Sequence, residues 1–470
     1  MQRQKIVLYN PRAVFHTMPL GLLAVGSYLD PARYDVRIID GRLDPDPVRT
    51  ILDETSDALC LGVSVLTGAP IRDALMVTRA AKAHRPDLPV VWGGWHTSLF
   101  PIETLDEPSI DITVQAQGEV TFGEIVDAFA AGETPNGIRG TSTRVDGHAV
   151  QHPPRPLSKL DDLPRHNYEL IPMQRYFEIK GERQLDYISS AGCNFRCAFC
   201  ADPFVYNRRW VAISPPRLDE EIDDLWQRYH FTELAFQDET FFTHPKRVFA
   251  IAEAFVQRGS RFTWTATMRA DQGYRMPDDA FALCVRSGLR RVMIGVESGS
   301  QEMLDWMAKD VTMEQIFHSA EMCVRHGIGA IFPFIVGFPN ETDASVRASM
   351  ATIKRLRAMS PLFETPVFYF KPYPGSRITE AVVRDGYRLP ETLEEWAEFD
   401  FIGSSGPWMS QQKHELIERF KFYNRFAWGA EHWFRRPLQQ VARWRCAHEF
   451  YDLPFEKAIV ERLKPQPQLS

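Results

Sequence analysis

Residues 185–200 read LDYISSAGCNFRCAFC, and the architecture of the chain follows from placing this run. A β-rich segment ends at Gly192, and three thiols, Cys193, Cys197 and Cys200, follow within eight residues. So short a loop can wrap three thiolates around one cuboidal cluster, because each soft thiolate takes a separate iron. The fourth iron is then left without a protein ligand. An open coordination position is what a reactive metal site keeps and a structural one lacks. The competing readings are a zinc knuckle and three unrelated core cysteines. Zinc favours paired two-residue spacings, and no second CxxC or Cys/His pair stands nearby.

Downstream of the cysteines the chain continues as an α/β series: ELAFQDETFF, FTWTATMRAD, RRVMIGVESGS, AIFPFIVGFP and VFYFKPYPGS. With LDYISS they make six strand-like segments, separated by helical stretches such as PPRLDEEIDDLWQRY. That alternation suits a full or partial βα barrel, whose chemistry lies at the carboxyl ends of its strands. Upstream, residues 1–135 alternate KIVLYNP, DVRIID, ALCLGVSVL and PVVWGG with helix-like runs. This predicts a doubly wound parallel sheet with its ligand at the strand ends. Residues 136–180, rich in proline (HPPRPLSKLDDLP), read as a linker. The expected order is a Rossmann-like domain over 1–135, the linker over 136–180, a barrel over 181–385, and an aromatic helical segment over 386–470 carrying Trp396, Trp408, Trp428, Trp433, Phe434 and Trp444.

The 470 residues, 44% hydrophobic and 24% charged, suffice for two or three packed cores. A net charge of −7 lacks the basic surplus that phosphate-backbone binding requires, so nucleic acid is not an expected partner. No export signal and no stretch of 18 apolar residues is found, which predicts a soluble cytoplasmic protein with no transmembrane segment. Seven cysteines, three of them clustered, argue for metal or redox use over a disulfide framework. Cys60, Cys284, Cys323 and Cys446 lie in apolar runs and read as small core residues.

The cysteine spacing resembles the defining motif of the radical S-adenosylmethionine (SAM) superfamily over residues 185 to about 380. The resemblance implies a 4Fe-4S cluster on Cys193, Cys197 and Cys200, with SAM chelating the open iron. One electron entering the sulfonium would release methionine and a 5′-deoxyadenosyl radical. It also implies an external one-electron reductant such as flavodoxin or ferredoxin. Phe199 matches the aromatic position that packs on adenine. Gln237-Asp238-Glu239 stands where the family has its GGE motif, without the two glycines, so Asp238 and Glu239 carry the match to the methionine ammonium site. Arg269 and Glu297 occupy strand ends where the family contacts methionine carboxylate and ribose, and Gly337 to Pro339 match a backbone contact to adenine. Taken singly, Arg269 or Glu297 could equally belong to a structural ion pair. Their order behind the cysteines makes the pattern.

In the N-terminal region no G-x-G-x-x-G follows the first strand, which ends in Asn10-Pro11-Arg12. At other strand ends stand Ser64 and Leu66 after the third, Gly93, Gly94, Trp95 and His96 after the fourth, then Gly118 and Glu119, with the small serine and glycines among them. They let a bulky ligand lie close to the backbone. With Pro19-Leu20-Gly21 the pattern resembles the cobalamin-binding domain of cobalamin-dependent radical SAM enzymes. That resemblance implies bound cobalamin. The D-x-H-x-x-G motif of another corrinoid class is missing, so a protein imidazole beneath cobalt is not expected, and His96 reads as a hydrogen-bonded loop residue or, with His16, as the nearest candidate.

The resemblance implies a methyltransferase that acts on an unactivated carbon of a biosynthetic intermediate. The alternatives are a radical cyclase or oxidase of a tetrapyrrole or lipid-like substrate, as in the anaerobic magnesium-protoporphyrin IX monomethyl ester cyclase group, and a non-catalytic iron-sulfur or corrinoid sensor. The sensor leaves Glu239 and Glu297 without purpose. The aromatic C-terminal stretch either lines a pocket for a large apolar small-molecule substrate or, from the spacing in LIERFKFYNRFAW, packs as a helix on the barrel.

Overall fold

The computed structural model describes residues 3–399, 406–428, 436–457 and 460. The chain forms two compact units, Met1–Ala266 with Pro372–Asp400, and Thr267–Lys371 with Phe401–Ser470. It is the α/β architecture that the alternating pattern predicts.

The first unit opens with β1 (Gln4–Asn10), β2 (Tyr34–Asp40), β3 (Ala58–Ser64), β4 (Val90–Gly93) and β5 (Ile112–Val114), ordered β2-β1-β3-β4-β5 and all parallel. Ile6, Val7, Leu8 and Tyr9 are successive and all buried, since helices cover both faces of the sheet. The strand order reverses between β1 and β3, which opens a crevice at the carboxyl ends.

Residues 136–180 are more than a linker. Thr141–Val145 (β6) and His148–Gln151 (β7) turn back through Asp146 and Gly147, both at positive φ, and extend the sheet antiparallel. An Asp-Gly pair between short β-rich runs is a hairpin signal that the nearby prolines hid. The chain then forms β8 (Gln184–Tyr187), β9 (Ser190–Gly192), β10 (Trp210–Ala212), β11 (Glu233–Phe236) and β12 (Thr263–Arg269). β11 pairs in parallel with β8 and with the start of β12, and β9 pairs antiparallel with β10.

The returning segment Pro372–Phe399 also belongs to the first unit. Its helix Leu393–Ala397 joins the core beside helix Pro70–His84, with Trp396 4.4 Å from the Phe100 ring. The helical region expected from 386 therefore begins later in space than in sequence.

In the second unit β13 (Leu289–Gly295), β14 (Gly329–Ile331) and β16 (Phe363–Glu364) are parallel, as are β15 (Phe334–Val336) and β17 (Val367–Tyr369). Helix Gln411–Ala427 docks on this unit by buried Ile417, Phe420 and Tyr423, with Tyr369 donating to Glu418 at 2.7 Å and Asn424 to Thr365 at 3.2 Å. Helix Arg436–His448 packs on it. Trp433 and Phe434 lie outside the described residues. Among the described residues no helix is long and apolar enough to cross a membrane.

Candidate active site

The three cysteines occupy a loop closed at its base by the β9–β10 pair, which fixes where it starts and ends. Gly192 is at φ +86, and a Cβ there would collide with the Arg209 carbonyl, so only glycine makes this turn. Cys193, Cys197 and Cys200 are half-buried, and the Cys200 amide donates to the Cys197 carbonyl at 3.3 Å. Burial first, and the Asp202 carboxyl second, hold the Cys200 thiol well above its ordinary range. Among the described residues no three His, Cys, Asp or Glu groups converge as on a single ion. A cubane asks for thiolates on separate irons, not for one common point.

Beside the loop stand Asp238 and Glu239, just past β11, and they differ. Asp238 accepts from the Ser189 amide and hydroxyl, both at 2.7 Å, and from the Ser190 hydroxyl at 2.5 Å. Those bonds tie β9 to β11 through Asp238. Glu239 Oε2 is buried with no hydrogen-bond partner, and burial first, then the Asp202 carboxyl, push the acid up to about 8. A buried carboxyl with one oxygen open fits a cationic ligand group such as an ammonium. Burial first, and the neighbouring Glu239 carboxylate second, hold the hydroxyl of Tyr206, on the cysteine hairpin, well above its ordinary range.

In the second unit Arg269 and Glu297 meet through a residue that the sequence reading missed. Lys309 Nζ donates to Glu297 Oε1 at 2.6 Å, and its carbonyl accepts from Arg269 Nη2 at 2.6 Å. Arg269 Nε also binds Asp271 at 2.9 Å. Glu297 sits at φ +66, a strained setting for a residue with a Cβ. The Gly337 amide donates to Glu341 Oε2 at 2.5 Å and the Gly337 carbonyl accepts from Trp408, so the backbone expected to contact adenine already has partners. Pro339 and Phe199 are half-buried.

At the strand ends of the first sheet lies a cavity of about 210 Å³, lined by Gly21, Ser64, Gly93, Gly94, Gly118 and Glu119 among others. Gly94 is at φ +95, and a Cβ there would lie 2.8 Å from the Val65 nitrogen. Burial raises the Glu119 carboxyl above its ordinary range. Tyr206 lines the same cavity and its ring is 6.3 Å from Trp95. Leu66 is exposed, and neither it nor His96 lines the cavity. His96 is fully buried, its Nδ1 3.2 Å from the Thr67 hydroxyl and its ring against Phe100 and Trp396; burial pushes it down to about 3. His96 stands in the helix Trp95–Leu99, not in a loop, and its Nε2 is buried with no hydrogen-bond partner. Apolar walls, small residues at the rim and a buried carboxyl fit an arm of a large corrinoid.

Comparison with known proteins identifies the two regions as domains. Residues 187–353 match the radical SAM superfamily model and residues 7–126 the B12 binding domain model. A methyltransferase of Pyrococcus horikoshii, described as uncharacterized, is 31% identical over 413 residues, 87% of this chain and 88% of its own. The cytidylyl-2-hydroxyethylphosphonate methyltransferase of Streptomyces wedmorensis is 23% identical, covering 89% of each chain. Among solved structures, the radical SAM methyltransferase TsrM from Kitasatospora setae, with cobalamin and a [4Fe-4S] cluster bound, superposes with a TM-score of 0.69 at 18% identity over 83% of this chain and 76% of that one. The chain belongs to the cobalamin-dependent radical SAM family. It is a radical SAM enzyme with methyltransferase homologues. Its radical SAM domain implies a 4Fe-4S cluster and SAM, and its B12-binding domain implies cobalamin.

Proposed function

We propose that this enzyme methylates an unactivated carbon of a biosynthetic intermediate, drawing electrons from an external one-electron donor of the flavodoxin or ferredoxin class. When bound, the cluster with SAM supplies a carbon radical and the corrinoid supplies the methyl group. Cys193, Cys197 and Cys200 would hold three irons of the cluster. Glu239 would take the methionine ammonium on its open oxygen; within the second unit, Arg269 and Glu297, braced by Lys309, would be the residues suited to a carboxylate and a ribose. Ser64, Gly93, Gly94 and Gly118 would let the corrinoid approach the backbone, while the apolar cavity keeps water from it.

One observation carries this reading. Tyr206 springs from the cysteine hairpin, stands beside Glu239 and lines the strand-end cavity of the same unit. A radical generated at one cofactor and a methyl group held by the other must meet at one substrate, and a residue common to both sites supports that economy of distance. The test is to supply methyl-labelled SAM to enzyme reconstituted without oxygen and to trace the label in the product. Label on a new carbon–carbon bond is the expected result. A ring-closed or oxidised product free of label would overturn methyl transfer in favour of radical cyclisation or oxidation.

A further inference from the structure

The strand-end cavity has a polar end that small residues and apolar walls do not explain. Leu163 and His166, from the segment joining the two sheets of the first unit, line it together with Tyr187, Arg217 and Glu221. Arg217 Nε donates to Glu221 Oε1 and its Nη1 to the Leu160 carbonyl, both at 2.6 Å, and the Tyr187 hydroxyl donates to Glu221 Oε2. These three side chains satisfy one another, and the charge of Arg217 is cancelled by Glu221.

His166 is not satisfied. Its Nδ1 is buried with no hydrogen-bond partner. Burial first, and the Arg217 cation second, lower its pKa to about 4, so the ring is neutral near pH 7. In the same cavity Gln117 Nε2 is also buried with its hydrogen bond unmade, near the Glu119 carboxyl but without the geometry of a bond to it. Buried polar atoms left open in a cavity are those a ligand completes. A neutral ring nitrogen and an amide donor, beside a cancelled charge, suit a neutral group with both a donor and an acceptor. A phosphate would call for an uncompensated cation there. A corrin ring carries primary carboxamides along its rim, and each offers one NH2 and one carbonyl.

We propose that His166 and Gln117 recognise peripheral carboxamides of the bound corrinoid, so that the segment joining the sheets is part of the cofactor pocket. This rests on the cobalamin reading above. The test is an anaerobic spectroscopic titration of the full chain with cobalamin and with cobinamide, which keeps the ring amides but lacks the nucleotide and its phosphate. His166→Phe, which keeps the ring volume, is expected to weaken both ligands about tenfold, the loss of one net hydrogen bond. His166→Gln restores a donor and an acceptor and should recover most of the affinity. Gln117→Leu should act like His166→Phe, and carries the comparison if circular dichroism finds the histidine variant misfolded. Unchanged affinity, or a deficit confined to cobalamin, overturns the carboxamide assignment. Wild-type chain that takes up neither corrinoid overturns the cobalamin reading itself.

Discussion

Glu239, past β11 in the first unit, and Glu297, past β13 in the second, are both buried carboxyls at strand ends, and they are equipped in opposite ways. Glu239 keeps one oxygen without a partner. Glu297 holds a resident cation, Lys309, at 2.6 Å and does so from a backbone at φ +66. Gly295 is part of the arrangement, since a Cβ there would lie 2.9 Å from the Lys309 ammonium and would press on the Glu297 carboxylate. The difference teaches what a strand-end acid can be. An open buried oxygen is a receptor that only a ligand completes, whereas a paired one is a fixed wall whose cation came with the fold.

The largest effect is expected at the receptor. Glu239→Gln keeps the shape and removes the charge that an ammonium would meet, so SAM affinity and 5′-deoxyadenosine release should fall about 10²–10³-fold while iron content stays at the wild-type level. Calorimetry, product analysis and iron assay read the three quantities separately. A variant that binds SAM like the parent would break the comparison at its first term. Next in size is the wall. Glu297→Gln or Lys309→Met alone strands a buried partner and should cost about 3 kcal/mol in urea unfolding, while Glu297→Leu with Lys309→Met should recover much of that loss. Single variants no worse than the double would mean that Glu297 is not tied to Lys309 and stands open like Glu239.

Local chemistry was legible in the sequence and long-range chemistry was not. The cysteine loop could be read because its residues are contiguous, and the strand-end glycines because a sheet's carboxyl ends are predictable from strand order. Glu239 and Glu297 could be placed but not told apart. Lys309 lies 12 residues beyond Glu297 on a turn with no motif of its own, and only folding reveals the pair. Asp238 and His96 were placed without their surroundings for the converse reason. Their neighbours in sequence suggested a ligand, but Ser189 and Ser190 claim the first and Phe100 and Trp396 enclose the second. The 136–180 segment was misread because its prolines outweighed one Asp-Gly turn, and with it went His166. Tyr206, six residues past Cys200, carried no signal beyond its closeness to the cysteines.

Tyr206 gives the smallest predicted effect and the sharpest. Its hydroxyl stands beside Glu239, so Tyr206→Phe removes a polar neighbour of the receptor and leaves its open oxygen, its burial and the cavity-lining ring in place. A hydrogen bond drawn from that hydroxyl to the carboxylate on SAM binding is worth about 0.5–1.5 kcal/mol, so SAM should bind about 2- to 10-fold more weakly. Corrinoid affinity, which depends on the ring, should stay within error. The Gly192 amide lies beside the same carboxylate and is untouched by this change. If Tyr206→Phe binds SAM as the parent does, the backbone amides alone aim the carboxylate and Tyr206 serves the cavity only. If it weakens SAM and the corrinoid together, the hydroxyl is holding the hairpin and not just one side chain, and the receptor at Glu239 would be as dependent on its setting as the wall at Glu297.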